Sequence, residues 1–134
     1  MRAMETIVID GYNLILALPS LGRLARRDLK KSRDSLVGLL RDYRNQRLPH
    51  PFILVVFDGQ AEPEAKRKSP ASGVEIQFSK GETADDLILK VLRKERTGAT
   101  LVTSGRALTE AANPFANRVI RCGKFAKLLL ETST

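Results

Sequence analysis

Two short runs in this chain have no polar face. Ile7-Val8-Ile9 leads into Asp10-Gly11, and Phe52-Ile53-Leu54-Val55-Val56-Phe57 leads into Asp58-Gly59. A strand sends alternate side chains to opposite faces, so a continuous apolar run must be covered on both sides. This excludes a sheet with one wet face. It calls for an α/β fold, a central mainly parallel sheet flanked by helices in three layers. With 134 residues, 43% of them hydrophobic, the chain can bury such a core as a single domain over residues 1–134.

The remaining sequence supplies alternating elements. Strands are expected over 5–9, 52–57, 74–78, 99–103 and 118–121, and helices over 28–47, 82–96, 106–112 and 124–131. A short helical turn over 14–18 should end at Pro19. In the long helix Leu29, Leu36, Leu40 and Tyr43 share a face, while Lys30, Lys31, Arg33, Arg41, Arg44 and Arg47 lie mostly off it. Residues 60–73 are polar, carry Lys66-Arg67-Lys68, and are expected to form a loop.

Charge narrows the partners. Twenty-three Lys and Arg against fifteen Asp and Glu give a net charge of +8, which suits a polyanion such as RNA. No apolar run approaches the ~20 residues of a membrane span. The N-terminus lacks a long apolar segment ahead of a cleavage site, and the single cysteine, Cys122, suits a reducing cytoplasm. One Cys and one His (His50) cannot form a zinc cluster.

In open α/β sheets ligands bind beyond the carboxyl ends of the strands, where Asp10 and Asp58 fall. Asp85-Asp86 opens the helix after the third strand. Carboxylates gathered there would repel one another unless a hard cation such as Mg²⁺ or Mn²⁺ sits among them. Each acid also has a plainer explanation. Asp10-Gly11 and Asp58-Gly59 are common turn dipeptides, Asn13 could cap a short turn, and Thr83-Ala84-Asp85-Asp86 fits a capping box. Other phosphate chemistries lack their residues. No G-x-G-x-x-G or G-x-x-x-x-G-K-[ST] loop is present, and Tyr12 stands where a haloacid-dehalogenase-type site would need a second Asp. His50, between two prolines, is a poor triad member.

The segments "VIDGYNLI", "VVFDGQ", "GVEIQFSKGETADDLI" and "LVTSGRAL" resemble, in order and spacing, the YacP-like ribonucleases of the NYN group, within the PIN-like and FLAP-nuclease superfamily. The resemblance runs from Thr6 to about Leu130. It implies a compact PIN-like domain that cleaves RNA, messenger RNA being one candidate. Asp10, Asp58 and Asp85 would be ligands of Mg²⁺ or Mn²⁺, with Asp86 as an outer helper. Asn13 would hold Asp10 or a phosphate, and Thr103 and Ser104 would line the same edge. Tyr12 and Arg106, with Lys66, Arg67 and Lys68, would contact RNA. One departure stands out: such proteins usually read T-S-D-R after the fourth strand, and here the text is Thr103-Ser104-Gly105-Arg106. Glu110 is the nearest later acid.

Three classes of function remain at this stage. The first is a metal-dependent endoribonuclease. The second is a catalytically impaired RNA-binding protein, which Gly105 makes credible. The third is a basic module docking on a ribonucleoprotein such as the ribosome.

Overall fold

The computed structural model describes residues 5–59, 73–95 and 98–132. Among them five strands form one sheet: β1 (Thr6–Asp10), β2 (Phe52–Phe57), β3 (Val74–Phe78), β4 (Thr100–Val102) and β5 (Arg118–Ile120). Every neighbouring pair is parallel, in the order β3-β2-β1-β4-β5. The helices are α1 (Gly11–Ala17), α2 (Pro19–Arg27), α3 (Leu29–Asn45), α4 (Ala84–Lys94), α5 (Arg106–Ala112) and α6 (Cys122–Thr132). No helix among the described residues is long and apolar enough to cross a membrane.

The two apolar runs do what their lack of a polar face demands. Ile7, Ile9, Ile53, Val55 and Phe57 join one core with α1, α2, α3 and α6. Val8, Leu54 and Val56 join a second core with α4 and α5 on the other face. Each strand thus feeds two cores, and each fully buried aliphatic side chain contributes on the order of 2 kcal/mol. The chain leaves β1 towards β2 and β3, then returns through α4 to β4 on the far side of β1. The carboxyl ends of β1 and β4 therefore flank a topological switch point.

Several local expectations change. α1 does stop before Pro19, at Ala17 with Leu18 as its C-cap, but Pro19 also occupies the first turn of a further helix, α2, where its missing N–H costs nothing. The helix starting at Pro19 was hidden because a proline reads equally as a stop or a start. α1 begins at Gly11, immediately after β1, rather than at Leu14. On α3, Leu36, Val37, Leu40 and Tyr43 are buried as expected, but Leu29 is exposed at 40%. Arg33, expected outside, is buried at 6% exposure, with its guanidinium over the rings of Phe57 and Phe78. A guanidinium can stack on an aromatic face while its stem packs, so its charge does not keep it out.

Gly11 explains part of the D-G-Y-N motif. A Cβ there would lie 2.5 Å from Cδ1 and Cε1 of Phe57 and 3.0 Å from the Val56 carbonyl. Phe57 is fully buried, 4.8 Å from the Tyr12 ring and 5.8 Å from the Phe78 ring, so it has little room to yield. Gly11→Ala gains up to about 1 kcal/mol of helix propensity but overpacks this ring at a cost of about 3 kcal/mol. A net loss of about 2 kcal/mol is expected in urea unfolding. A variant as stable as the parent would show that Phe57 can move aside.

Candidate active site

Asp10 ends β1 beside the switch point. Its pairing to β2 matches it with Val56, and β4 reaches the same level at Thr103. The carboxylate is buried, at 6% exposure. Its Oδ2 accepts hydrogen bonds from the Asn13 side-chain amide and from Thr103 Oγ1, the latter at 2.8 Å. Thr103 is fully buried and also accepts the Gly105 N–H at 3.1 Å. Asn13 and Thr103 thus hold Asp10 from α1 and β4. Among the described residues, the sole fully buried side-chain polar atom without a partner is Arg41 Nε. Asp10 Oδ1, which takes neither of those bonds, therefore keeps contact with solvent.

Asp85 and Asp86 lie in the first turn of α4, with Thr83 as N-cap; Thr83 Oγ1 accepts the Asp86 N–H at 3.1 Å. This is one half of the expected capping box. The Asp85 carboxyl is held above the ordinary carboxylate value, first by loss of solvent and then by repulsion from Asp10, Asp86 and Asp58. The residue as a whole is exposed, so its desolvation is one-sided. Asp85 thus lies within electrostatic reach of Asp10, Asp86 and Asp58.

Asp58 shares the carboxyl edge but is engaged elsewhere. Its Oδ1 accepts Ser79 Oγ at 3.1 Å and the Ala84 N–H at 3.2 Å, and Ser79 Oγ accepts the Gly59 N–H at 2.9 Å. Asp58 thereby ties β2 to the start of α4, the helix that carries Asp85. Asp58→Asn keeps one oxygen acceptor, whereas Asp58→Ala removes it. Asp58→Ala is expected to cost about 1 kcal/mol and to speed amide exchange at Ala84, while Asp58→Asn changes both little. Equal effects of the two variants would show that these bonds do not hold the turn.

The other expected residues are dispersed. Ser104 Oγ accepts the Cys122 N–H at 3.1 Å, capping α6 from the neighbouring connection. Tyr12 packs on Phe57, and its hydroxyl accepts from Arg33 Nη1 at 3.2 Å. Arg106 is 94% exposed and pairs loosely with Glu110 at 3.9 Å, so neither is held at the site. Arg44 Nε donates to the Pro51 carbonyl at 2.7 Å, a packing role. Lys66, Arg67 and Lys68 lie outside the described residues. Burial pushes the Cys122 thiol up, so it stays neutral and unreactive.

Among the described residues no group of three or more His, Cys, Asp or Glu side chains stands within reach of one ion. Asp10, Asp58 and Asp85 therefore share an edge and a field without forming a closed cage. Asp58 is instead hydrogen-bonded to Ser79 and to the first turn of α4. In kind, the donors are hard oxygens, with Asp10 fixed through one oxygen and open through the other, which fits a partly hydrated divalent cation.

A model of the YacP-like NYN domain matches residues 7–132. The chain belongs to the YacP-like NYN domain family. A Bacillus subtilis protein, uncharacterized protein YacP, is 32% identical over 100 residues, which cover 74% of this chain and 58% of that protein. The match thus spans little more than half of that relative. Two crystal structures of Rae1 (YacP) from Bacillus subtilis, one a mutant form, share the fold. The mutant matches with a TM-score of 0.76 at 25% identity, covering 97% of this chain and 77% of its own. The second matches at 0.74 and 26% identity, covering 97% and 76%. The NYN domain described here is accordingly a nuclease-type fold, with its five-stranded parallel sheet flanked by helices on both faces.

Proposed function

We propose that this NYN domain hydrolyses RNA phosphodiester bonds with Mg²⁺ or Mn²⁺ as cofactor, in the cytoplasm. The observation that carries this reading is Asp10: a buried carboxylate at the switch point, fixed on Oδ2 by Asn13 and Thr103 and open on Oδ1. Asp10 and Asp85 would hold the ion, with Asp86 beside them. When bound, such an ion polarises a phosphate and lowers the pKa of an attacking water. The chain's own residues do the rest. Asn13 and Thr103 fix the orientation of Asp10. Asp58 and Ser79 fix the first turn of α4 and hence Asp85. The net charge of +8 favours a polyanionic substrate.

A second reading has its own support. Gly105 supplies no carboxylate, and no three-acid group forms among the described residues. An RNA-binding protein with little or no cleavage, docked on a ribonucleoprotein such as the ribosome, would carry the same surface. The two separate in one experiment. A fluorogenic RNA is incubated with the purified chain in Mn²⁺, in Mg²⁺ and in chelator. The first reading expects cleavage in metal and none in chelator. Cleavage that persists in chelator would end the metal mechanism, and binding without cleavage in either metal would favour the second reading.

A further inference from the structure

α2, which hydrophobic periodicity did not reveal, changes where the positive charge lies. Arg23, Arg26 and Arg27 are spaced three and four apart, so they share one face of α2, and all three are exposed. Lys30 and Lys31 follow in the first turn of α3, also exposed. Lys30 pairs with Asp34 at 3.6 Å. The side chains of Arg23, Arg26, Arg27 and Lys31 make no ion pair or hydrogen bond among the described residues.

The position of this corner follows from the packing. α3 ends close to the start of β2, where Arg44 bonds the Pro51 carbonyl, so α3 runs against the strand direction. Its first turns therefore stand at the carboxyl edge of the sheet. Arg33 confirms this, since it reaches Tyr12 in α1 and the rings of Phe57 and Phe78 at the ends of β2 and β3. Ser32 Oγ donates to the Leu21 carbonyl at 2.9 Å and fastens α2 to α3 at this end. The last turn of α2 and the first turn of α3 thus form a cationic rim at the edge where Asp10 sits.

We infer that the α2–α3 corner, through Arg23, Arg26, Arg27 and Lys31, binds the phosphate backbone of an RNA strand and leads it across the sheet edge to Asp10. This rests on the ribonuclease reading for its choice of polyanion. An anionic membrane is the poorer partner, because the apolar side of α2 is already used: Leu21 is buried and Leu24 packs against the core. A helix lying on a bilayer needs that side free. Cations without an ion-pair partner release condensed counterions from a nucleic-acid strand when they bind it.

The test uses the full chain in chelator, so that neither metal nor cleavage enters. Binding of a fluorescein-labelled oligouridylate is followed by anisotropy across a salt series for three proteins. They are the parent, Arg26→Gln/Arg27→Gln, and Arg93→Gln/Lys94→Gln at the far end of α4. Removing each phosphate contact on a single strand lowers the slope of log affinity against log salt by about 0.7. The corner variant should lose about 1.4 of slope, and the α4 variant should match the parent. Arg23→Gln/Lys31→Gln is a second corner variant and should lose as much, with circular dichroism confirming that each protein is folded. Equal losses from the corner and α4 pairs would overturn the inference, leaving net charge alone as the cause. So would a parent that does not bind the oligonucleotide, or one that binds anionic vesicles in its place. Failure of metal-dependent cleavage would leave this result standing, because binding is measured without metal.

Discussion

Asp10→Asn is expected to remove metal-dependent cleavage while leaving the protein folded. The side-chain oxygen of asparagine can still accept from Thr103 Oγ1, and Asn13 can turn its amide, so the buried position keeps its partners. What disappears is the charge that faces the ion. A metal ion supplies several kcal/mol of transition-state stabilisation, and each ~1.4 kcal/mol is tenfold in rate. A fall of about 100- to 1,000-fold in cleavage rate follows.

The same variant has a pH signature. The folded Asp85 carboxyl binds its proton more tightly than the unfolded one, in part because of Asp10. Between the two pKa values the native state therefore holds more protons, and stability falls as pH rises through that window. At neutral pH the penalty is complete. Asp10→Asn relieves part of it, so the metal-free variant should be slightly more stable than the parent, by less than about 1 kcal/mol because Asp85 is exposed to solvent. The difference should close as pH falls below the ordinary value of 3.8. Thermal midpoints against pH in chelator measure this. A variant that is less stable than the parent at neutral pH would show that the burial of Asp10 is supported by its charge.

Gly105→Asp carries the other large effect. Gly105 has φ −72° and ψ 125°, an extended conformation open to any residue, and it is the N-cap of α5 without a side chain to cap it. A Cβ there would lie 3.5 Å from Thr103 Oγ1 and 3.8 Å from Leu108 Cβ, both ordinary contacts. An aspartate is among the preferred N-caps and gains a few tenths of a kcal/mol over glycine. The Thr103 hydroxyl it would adjoin is the one that donates to Asp10, so the new carboxylate enters the same field. Added ligand charge tightens a hard-cation site, and about tenfold stronger Mn²⁺ binding is expected, with cleavage rising in step. Calorimetry with Mn²⁺ and a thermal midpoint on the same protein decide the matter. A stable variant with unchanged Mn²⁺ affinity would place residue 105 outside the ligand set.

Much of the architecture was legible because hydrophobic period is a local property. Ile7 to Ile9 and Phe52 to Phe57 had to lie inside a two-sided layer, and a parallel sheet places their trailing acids at one edge. The order of motifs around Asp10, Asp58, Thr83 to Asp86 and Thr103 then identified the family. The layers and the edge follow from residue type and spacing alone, whereas the family came through the resemblance those motifs carry.

The roles of individual side chains were decided by what packs beside them. Gly11 is glycine because Phe57, 46 positions later, occupies the space a Cβ would need. Arg33 lies inside because two aromatic rings and a tyrosine hydroxyl meet it there. Ser104 serves α6 rather than the site, and Asp58 serves α4, because the connections bring other backbone N–H groups within their reach. A hydrogen bond depends on distance in space, and sequence spacing gives that distance only within one helix or strand. The sequence therefore determined the layers, the edge and the acids upon it. The tertiary structure alone decided which of those acids is buried and held, which is engaged in packing, and that α2 exposes Arg23, Arg26 and Arg27.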